Sequence, residues 1–426
     1  MRGLFGGSAV AVREVLLLLL VVHHSDEASA WSAHSHSHSH SHHEHSTSSR
    51  RSRLQLNAKK TEQSSLPVQV VDQQQDDNMF VDFCDFLQET QDDIIHQLEK
   101  MDGSGQKFSN DCWGCFEEEP SSNNDDADAG DEPPQSSSRL SGGRTRVLQG
   151  GAVIEKGAVS LTLIRRGILT AERAATIRAR QDININAGDR YSAAALSLVL
   201  HTRSPLIPTF RSDVRIFMVQ SKESSSTSSN KSHDEEGKGE SPAKTTQAWF
   251  GGGADLTPYY LDDDDITTFH NLYKDVCQDN PEEFSYPNLK QLCDEYFYLP
   301  ARDEHRGTGG IFFDDLAASP QSLTFVKNVA TTWMPSWLPI IDKHRNRKYS
   351  EKQKQWQLLR RGRYLEFNLL YDRGVKFGLA VQNPRVEGVM VSAPPLIAWE
   401  YKHEIEEGSE EDRLMKVLKS PKDWAT

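Results

Sequence analysis

The spacing of apolar residues predicts a long helix near the start of the foldable part of the chain. Phe80, Phe83, Leu87, Ile94 and Leu98 lie three, four or seven residues apart, which places them on one helical face. Asp102-Gly103 follows, and a glycine commonly ends a helix. Similar patterns predict further helices over residues 170–180, 266–276, 323–330 and 352–361.

Period-two patterns predict strands between these helices. In 211–219, Val214, Ile216 and Met218 would face a helical layer, while Arg211, Asp213 and Arg215 share the other face. Residues 147–163 and 311–313 are also typical of strands. Alternation in 364–371 and 375–379 predicts two more strands, joined by a turn at Asp372-Arg373-Gly374. An α+β fold follows, with an antiparallel sheet covered by helices.

Polar, low-complexity segments interrupt this pattern twice. Residues 117–140 are acidic and rich in Ser, Asn and Pro, and residues 221–244 are rich in Ser and charged side chains. Such insertions belong on the surface. We therefore expect one domain over residues 79–426 with two polar inserts.

The N-terminus has the composition of a targeting sequence. Arg2 and Arg13 precede a short apolar run, and Ala28-Ser29-Ala30 fits a signal cleavage site, so residues 1–30 are predicted to be a signal peptide. Residues 31–78 are transit-peptide-like and polar. The apolar run is too short to span a membrane. A signal followed by a transit peptide predicts a plastid location, with a mitochondrion or the secretory pathway as alternatives.

Charge and cysteine content exclude some functions. The chain of 426 residues carries a formal charge of −14, which argues against nucleic-acid binding because that needs a basic surface. The five cysteines form no recognisable disulfide framework. Cys112-Trp113-Gly114-Cys115 has no second cysteine pair that would complete a zinc site.

The run Gly251-Gly252-Gly253-Ala254-Asp255 is the first candidate for chemistry. Glycine permits turns and close backbone approach, so Asp255 would lie on a tight turn after an aromatic strand. There it would face a cationic or NH-bearing ligand. The alternative is a turn with a solvated carboxylate.

Two charged segments are further candidates. Residues 293–316 combine Arg302, Glu304 and Arg306 with a glycine turn, as at the rim of a site or in a structural salt-bridge network. Arg360-Arg361-Gly362-Arg363 would suit a ligand with several carboxylates, because guanidinium groups pair bidentately with carboxylates. A solvated charged surface or a subunit contact is the alternative. The motifs of serine hydrolases, zinc proteases and phosphate-binding loops are absent from the sequence.

Taken together, these segments resemble the oxygen-dependent coproporphyrinogen-III oxidase family. The resemblance extends from about Phe86 to Trp424. Its main runs are Gly142-Gly143, Glu155-Lys156, 249–258, 306–316, 360–378 and 392–401.

The resemblance implies a flat antiparallel sheet between helical layers, a homodimer, and conversion of two propionates of coproporphyrinogen III to vinyl groups. Oxygen is the co-substrate, and no organic cofactor is expected. Asp255 would then hold pyrrole NH groups, and arginines would hold propionates.

The sequence departs from the family pattern at several site positions. Arg211 occupies the position of the family's proton-donor histidine, and arginine is a poor acid or base at neutral pH. Asp213 replaces an asparagine, whereas Ser197 and Arg215 match substrate-contacting positions. Asn383-Pro384-Arg385 replaces a glycine-containing substrate-contacting motif.

The histidines also depart from the family pattern. Of four histidines proposed as metal ligands in some bacterial members, only His201 and His270 are present, so no metal site is expected. The departures leave two hypotheses: an active oxidase, or a catalytically impaired paralogue that binds a tetrapyrrole or a partner subunit.

Overall fold

The computed structural model describes residues 73–116, 141–179, 183, 185–220, 246–379 and 385–426. Most of the predicted leader and both predicted inserts lie outside these ranges. No helix in this part of the chain is long and apolar enough to cross a membrane.

A seven-stranded antiparallel sheet is the centre of the fold, with strand order β1-β2-β3-β4-β5-β6-β9. The strands are β1 Asp111–Gly114, β2 Gly142–Gln149, β3 Ile154–Ile168, β4 Arg190–Thr202, β5 Thr209–Gln220, β6 Thr246–Thr257, β7 Tyr298–Leu299, β8 Glu304–His305 and β9 Gly309–Ala317. The helices are α1 Gln73–Asp102, α2 Ala171–Arg178, α3 Asp263–Gln278, α4 Tyr286–Tyr296, α5 Pro320–Thr331, α6 Trp333–His344, α7 Glu351–Leu370, α8 Arg373–Leu379, α9 Val386–Val389 and α10 Glu410–Lys419.

The two faces of the sheet differ in chemistry. On one face, apolar side chains of β4, β5, β6 and β9 pack on α1, α3, α5 and α6 in the main hydrophobic core. Val214, Ile216 and Met218 belong to this core, as their alternation predicts. The opposite face carries Arg211 and Asp213 and is partly covered by α7 and the segment after it. The predicted α+β fold with an antiparallel sheet is therefore confirmed.

The predicted strand at residues 364–371 is wrong, because these residues complete helix α7. Ser350 and Gln353 form a capping box at its start, and buried residues recur at Trp356, Arg360, Tyr364 and Phe367. This spacing of three or four residues is helical. Gly362 does not end the helix. It lies inside α7, where a Cβ atom would be 2.5 Å from the carbonyl oxygen of Ala398.

Two other local predictions also fail. Residues 375–379 are not a strand but part of α8, whose first turn is capped by Asp372, since its Oδ1 accepts from the Val375 backbone N–H at 2.8 Å. The Gly251–Gly253 run is not a turn but the middle of β6. A Cβ at Gly253 would be 2.5 Å from the carbonyl oxygen of Ile311 on β9. These glycines therefore allow neighbouring strands to pack closely.

Candidate functional site

A cleft lies over the polar face of the sheet and encloses about 900 Å³, including space open to solvent. Strands β3, β4 and β5 form its floor, and the segment that contains α8 and α9 forms its opposite wall. The floor residues are Ala158, Ser160, Thr162, Ala195, Ser197, Leu198, Val199, Arg211 and Asp213. The wall residues are Asp372, Gly374, Val375, Gly388, Val389, Val391 and Ser392. The mixed apolar and polar lining suits a small organic ligand with a few anchoring polar groups.

The charged floor of the cleft is organised by strand register. Asp213 pairs with Ser197 on β4, and Arg211 pairs with Asp255 on β6, so these side chains share one face of the sheet. Arg211 Nη1 lies 3.3 Å from Asp213 Oδ1, and its side chain is 20% exposed. Burial works against the charged guanidinium, but the carboxylates of Asp213 and Asp372 prevail and raise the pKa of Arg211. Arg211 is therefore a fixed positive charge facing the cleft.

Behind the cleft, the charges alternate. Asp213 also accepts from Arg215, whose other guanidinium nitrogen donates to Asp314 Oδ1 at 3.0 Å. Arg373 lies 3.9 Å from Asp314 Oδ2. Arg215 is not a lining residue of the cleft. Its contacts make it a support for Asp213.

Asp255 is buried in an ion pair. Its Oδ2 accepts from Arg306 Nη2 at 2.6 Å, and the two side chains are 4% and 0% exposed. The Arg306 guanidinium lies between the rings of Phe297 and Tyr364, at 3.9 and 4.5 Å from their centroids. Asp255 therefore lies on the polar face of the sheet but does not line the cleft.

The arginine run on α7 does not line the cleft. Arg360 pairs with Glu304 at 2.8 Å and Arg361 with Glu155 at 2.6 Å, and all four side chains are largely buried. Arg363 and Arg302 share Glu366. The prediction of an anion site at 360–363 is therefore wrong. Arg302, Glu304 and Arg306 each take part in an ion pair, as the salt-bridge interpretation predicts.

The other predicted site residues differ in their position relative to the cleft. Ser197 lines the cleft floor. Arg385 is not a lining residue, and its guanidinium is 2.9 Å from Asp111 Oδ2 on β1. Asn383 and Pro384 lie outside the described residues.

Sequence reasoning missed several cleft residues. Ser160 and Thr162 on the floor alternate along β3 in the same phase as Ala158, and this period was a usable signal. The sequence pattern places Asp372 in a turn and gives no local signal for Ser392. Their place in the cleft depends on how the chain returns over the sheet after α7.

The two histidines at positions of the family's proposed metal ligands lie in different environments. His201 is bonded to Thr209 and Ser392, and His270 Nδ1 lies 2.7 Å from the Tyr286 hydroxyl. Burial lowers the pKa of His270 to about 3, so it is neutral. Elsewhere in the described residues, Asp262, Asp265 and His344 have ligand atoms close together. Lys343 bridges both of these carboxylates at 2.8 Å.

The fold and the cleft define an α+β protein with a candidate small-molecule site on the polar face of an antiparallel sheet. Residues 82–424 match the family model described as coproporphyrinogen III oxidase. The chain belongs to this family.

Named relatives cover most of the chain. The oxygen-dependent coproporphyrinogen-III oxidase of Drosophila melanogaster is 40% identical over 79% of this chain and 76% of its own length. The Francisella philomiragia protein of the same name is 37% identical over 80% of this chain and 97% of its own. A relative from Nicotiana tabacum, named as chloroplastic, is 36% identical over 79% of this chain and 75% of its own.

Proposed function

We propose that the protein catalyses the oxygen-dependent oxidative decarboxylation of coproporphyrinogen III to protoporphyrinogen IX in tetrapyrrole biosynthesis. Its membership of the oxidase family over residues 82–424 carries this proposal. The cleft supports it, because a porphyrinogen is an apolar ring system with several carboxylates. Each conversion of a propionate to a vinyl group releases CO₂ and removes two electrons, which oxygen accepts. No organic cofactor enters the proposal.

Arg211 is the proposed binding group for a propionate. It is the guanidinium that lines the cleft in the described part of the chain, and arginine binds carboxylates through two parallel hydrogen bonds. The hydroxyl of Ser197 lies on the neighbouring strand and provides a further hydrogen bond. Asp213 holds the Arg211 side chain in position, and Arg215 in turn holds Asp213.

Carboxylates are the proposed acceptors for the pyrrole NH groups. Asp372 lines the cleft directly, and Asp255 lies behind it in contact with Arg306. A proton-transfer role for Asp255 requires that the substrate or a movement of Arg306 gives it access to the macrocycle. Arg211 retains its proton, so a carboxylate has to accept the proton that leaves the substrate.

An aerobic turnover assay tests the activity. The purified chain without its leader is incubated with coproporphyrinogen III in air, and protoporphyrinogen and its monovinyl precursor are measured. Product is expected in air and not under argon, with a rate that metal chelators leave unchanged. Tight porphyrinogen binding without product would favour a binding protein instead.

Substitution of Arg211 separates binding from chemistry. Arg211→Met is expected to raise the KM about tenfold or more, since a charge-assisted hydrogen bond contributes about 1.5 to 3 kcal/mol. Arg211→His restores a group that titrates near neutral pH. If it does not raise kcat, arginine at this position does not limit turnover.

A homodimer and a plastid location are also proposed. A homodimer is proposed because large apolar side chains are exposed along the end of α7 and the segment beside it, at Leu369, Leu370, Val386, Leu396, Trp399 and Tyr401.

A plastid location is proposed from the leader, and relatives are named as chloroplastic or mitochondrial. A fluorescent reporter fused to residues 1–60 tests this location, because retention outside the plastid would contradict it.

A further inference from the structure

A chain of hydrogen bonds connects a buried ion pair to the wall of the cleft. Glu155 accepts from Arg361 Nη1 at 2.6 Å, and Arg361 Nε donates to the Tyr259 hydroxyl at 3.3 Å. Tyr259 and Thr209 hydroxyl oxygens are 2.6 Å apart, and Thr209 Oγ1 lies 3.0 Å from His201 Nδ1. His201 Nε2 lies 2.9 Å from the Ser392 carbonyl oxygen.

The two ends of this chain fix the direction of every bond. The Ser392 carbonyl can only accept, so His201 Nε2 carries a hydrogen. Burial, reinforced by the charge of Arg361, lowers the pKa of His201 well below its usual value, so the ring is neutral and Nδ1 is an acceptor. Thr209 must then donate to Nδ1, and Tyr259 must donate to Thr209. Arg361 can only donate, which completes one consistent arrangement.

The chain ends on a residue of the ligand site. Ser392 lines the cleft, and the next carbonyl, that of Ala393, accepts from Lys156 Nζ at 2.9 Å. Lys156 and His201 are register partners on β3 and β4. These two neighbouring strands therefore hold two successive carbonyls of the wall. His201 itself is fully buried and is not a lining residue.

We propose that His201 is a positioning residue that fixes the Ser392 wall of the cleft relative to the sheet, and so sets ligand affinity rather than the rate of chemistry. Glu155 and Arg361 set the orientation of the His201 ring, because they align the Tyr259 and Thr209 hydroxyls behind it. Only the choice of ligand rests on the proposed function.

Two substitutions separate the bonds of His201. Glutamine reaches as far as Nε2 and can still donate to the Ser392 carbonyl, whereas asparagine reaches only as far as Nδ1. We expect His201→Asn to speed amide hydrogen exchange in residues 386–396 about tenfold, as for the loss of one stabilising hydrogen bond. His201→Gln keeps the donor to Ser392 but loses the acceptor for Thr209, as Thr209→Val does, so exchange there should speed up by no more than about threefold. Equal behaviour of the two variants would overturn the proposal.

Ligand measurements give a second, independent test. The dissociation constant of coproporphyrin III, followed by fluorescence, should rise about tenfold in His201→Asn but not in His201→Gln. In the turnover assay, KM should rise similarly while kcat stays within about threefold. A fall in kcat at constant KM would assign His201 to the chemistry and contradict the proposal. Failure of all turnover would refute the proposed function alone, because exchange and porphyrin binding still test the positioning role.

Thr209 provides a milder pair of variants if His201 substitutions do not fold. Thr209→Val keeps the side-chain shape but removes the donor to Nδ1, and Thr209→Ser keeps the hydroxyl. Faster exchange in residues 386–396 is expected for valine only. Unchanged exchange in both would show that the wall does not depend on the chain.

Discussion

At the residue scale, the site depends on carboxylates shared between arginines. Asp213 is 3% exposed and contacts both Arg211 and Arg215, so it neutralises two guanidinium groups at once. A buried charge that loses its partner is costly, although the pair itself adds little over an apolar replacement. The Asp213 side chain is therefore more important for keeping two cations in place than for contacting a ligand.

Substitution of Asp213 by asparagine tests this view. Asp213→Asn should lower the free energy of unfolding by about 3 kcal/mol, because Arg211 and Arg215 lose their common counter-charge. Urea titration measures it. The control is Asp111→Asn, which breaks an exposed pair with Arg385 and should change stability by less than about 1 kcal/mol. Similar values for both variants would contradict the proposed importance of burial.

The role of Asp255 is tested with a single and a double variant, because a single substitution would change both the stability and the turnover of the protein. Asp255→Asn leaves the buried Arg306 guanidinium without its carboxylate and should cost about 3 to 5 kcal/mol. In the double variant Asp255→Asn/Arg306→Met, most of that stability should return because neither charge remains. If turnover does not return with it, Asp255 or Arg306 acts in the reaction. Full turnover in the double variant would remove both from the mechanism.

At the element scale, tertiary packing explains why a glycine lies inside helix α7, which helix propensity alone does not. Gly362 is intrinsically unfavourable inside α7, yet the Ala398 carbonyl and the Trp399 indole occupy the space of a Cβ, at 2.5 and 3.1 Å. The Ala398 N–H also bonds to the Leu358 carbonyl of α7 at 2.9 Å. Glycine at this position lowers the intrinsic stability of the helix but allows close contact with Ala398 and Trp399.

Gly362→Ala is therefore expected to destabilise the protein despite the better helix propensity of alanine. A loss of about 1 to 3 kcal/mol is typical of overpacking, and thermal and urea unfolding measure it. Lys352→Ala on the exposed first turn of α7 is the control and should change stability by about 0.5 kcal/mol or less. Stabilisation by Gly362→Ala would show that the segment around Ala398 moves away freely.

The local pattern of apolar and polar residues predicts an element correctly where the surrounding packing matches that pattern. β5 has one apolar and one charged face, so alternation placed Arg211, Asp213 and Arg215 correctly on one side. Residues 364–371 alternate only by coincidence, because Tyr364 and Phe367 face the sheet while Leu369 and Leu370 are exposed. The pairing of Asp255 with Arg306, and the cleft positions of Asp372 and Ser392, depend on strand register and on distant chain segments. Such contacts leave no signal in a single local stretch of sequence.

At the scale of the whole molecule, two buried neutral histidines make stability depend on pH. Burial lowers the pKa of both His201 and His270, the latter to about 3 from a usual value of 6.5. Below pH 6.5 the unfolded chain takes up these protons but the folded chain does not. The stability is present above pH 6.5 and falls as the pH falls towards the folded-state pKa.

Each histidine should contribute a slope of about 1.4 kcal/mol per pH unit well below pH 6.5. Urea unfolding at intervals between pH 7 and 4.5 measures the slope. His270→Phe removes one of the two histidines, so the slope of stability against pH should fall by about 1.4 kcal/mol per pH unit, whatever the effect on absolute stability. The matched control is His96→Gln, which removes an exposed histidine of α1. An unchanged slope in His270→Phe would mean that His270 takes up its proton in the folded state.

The exposed apolar side chains after α7 are the feature that best supports assembly into a dimer. Trp399 is 57% and Leu396 is 55% exposed, and their segment is bonded to α7 through the Trp399 indole and Glu366. Burial of such side chains between two copies is favourable by about 25 cal/mol per Å². Leu396→Glu should therefore shift the proposed dimer to monomer in analytical ultracentrifugation, whereas Val81→Glu, at another exposed apolar position on α1, should not. A monomeric unsubstituted protein would contradict the dimer, and dissociation by Val81→Glu instead would place the interface on α1.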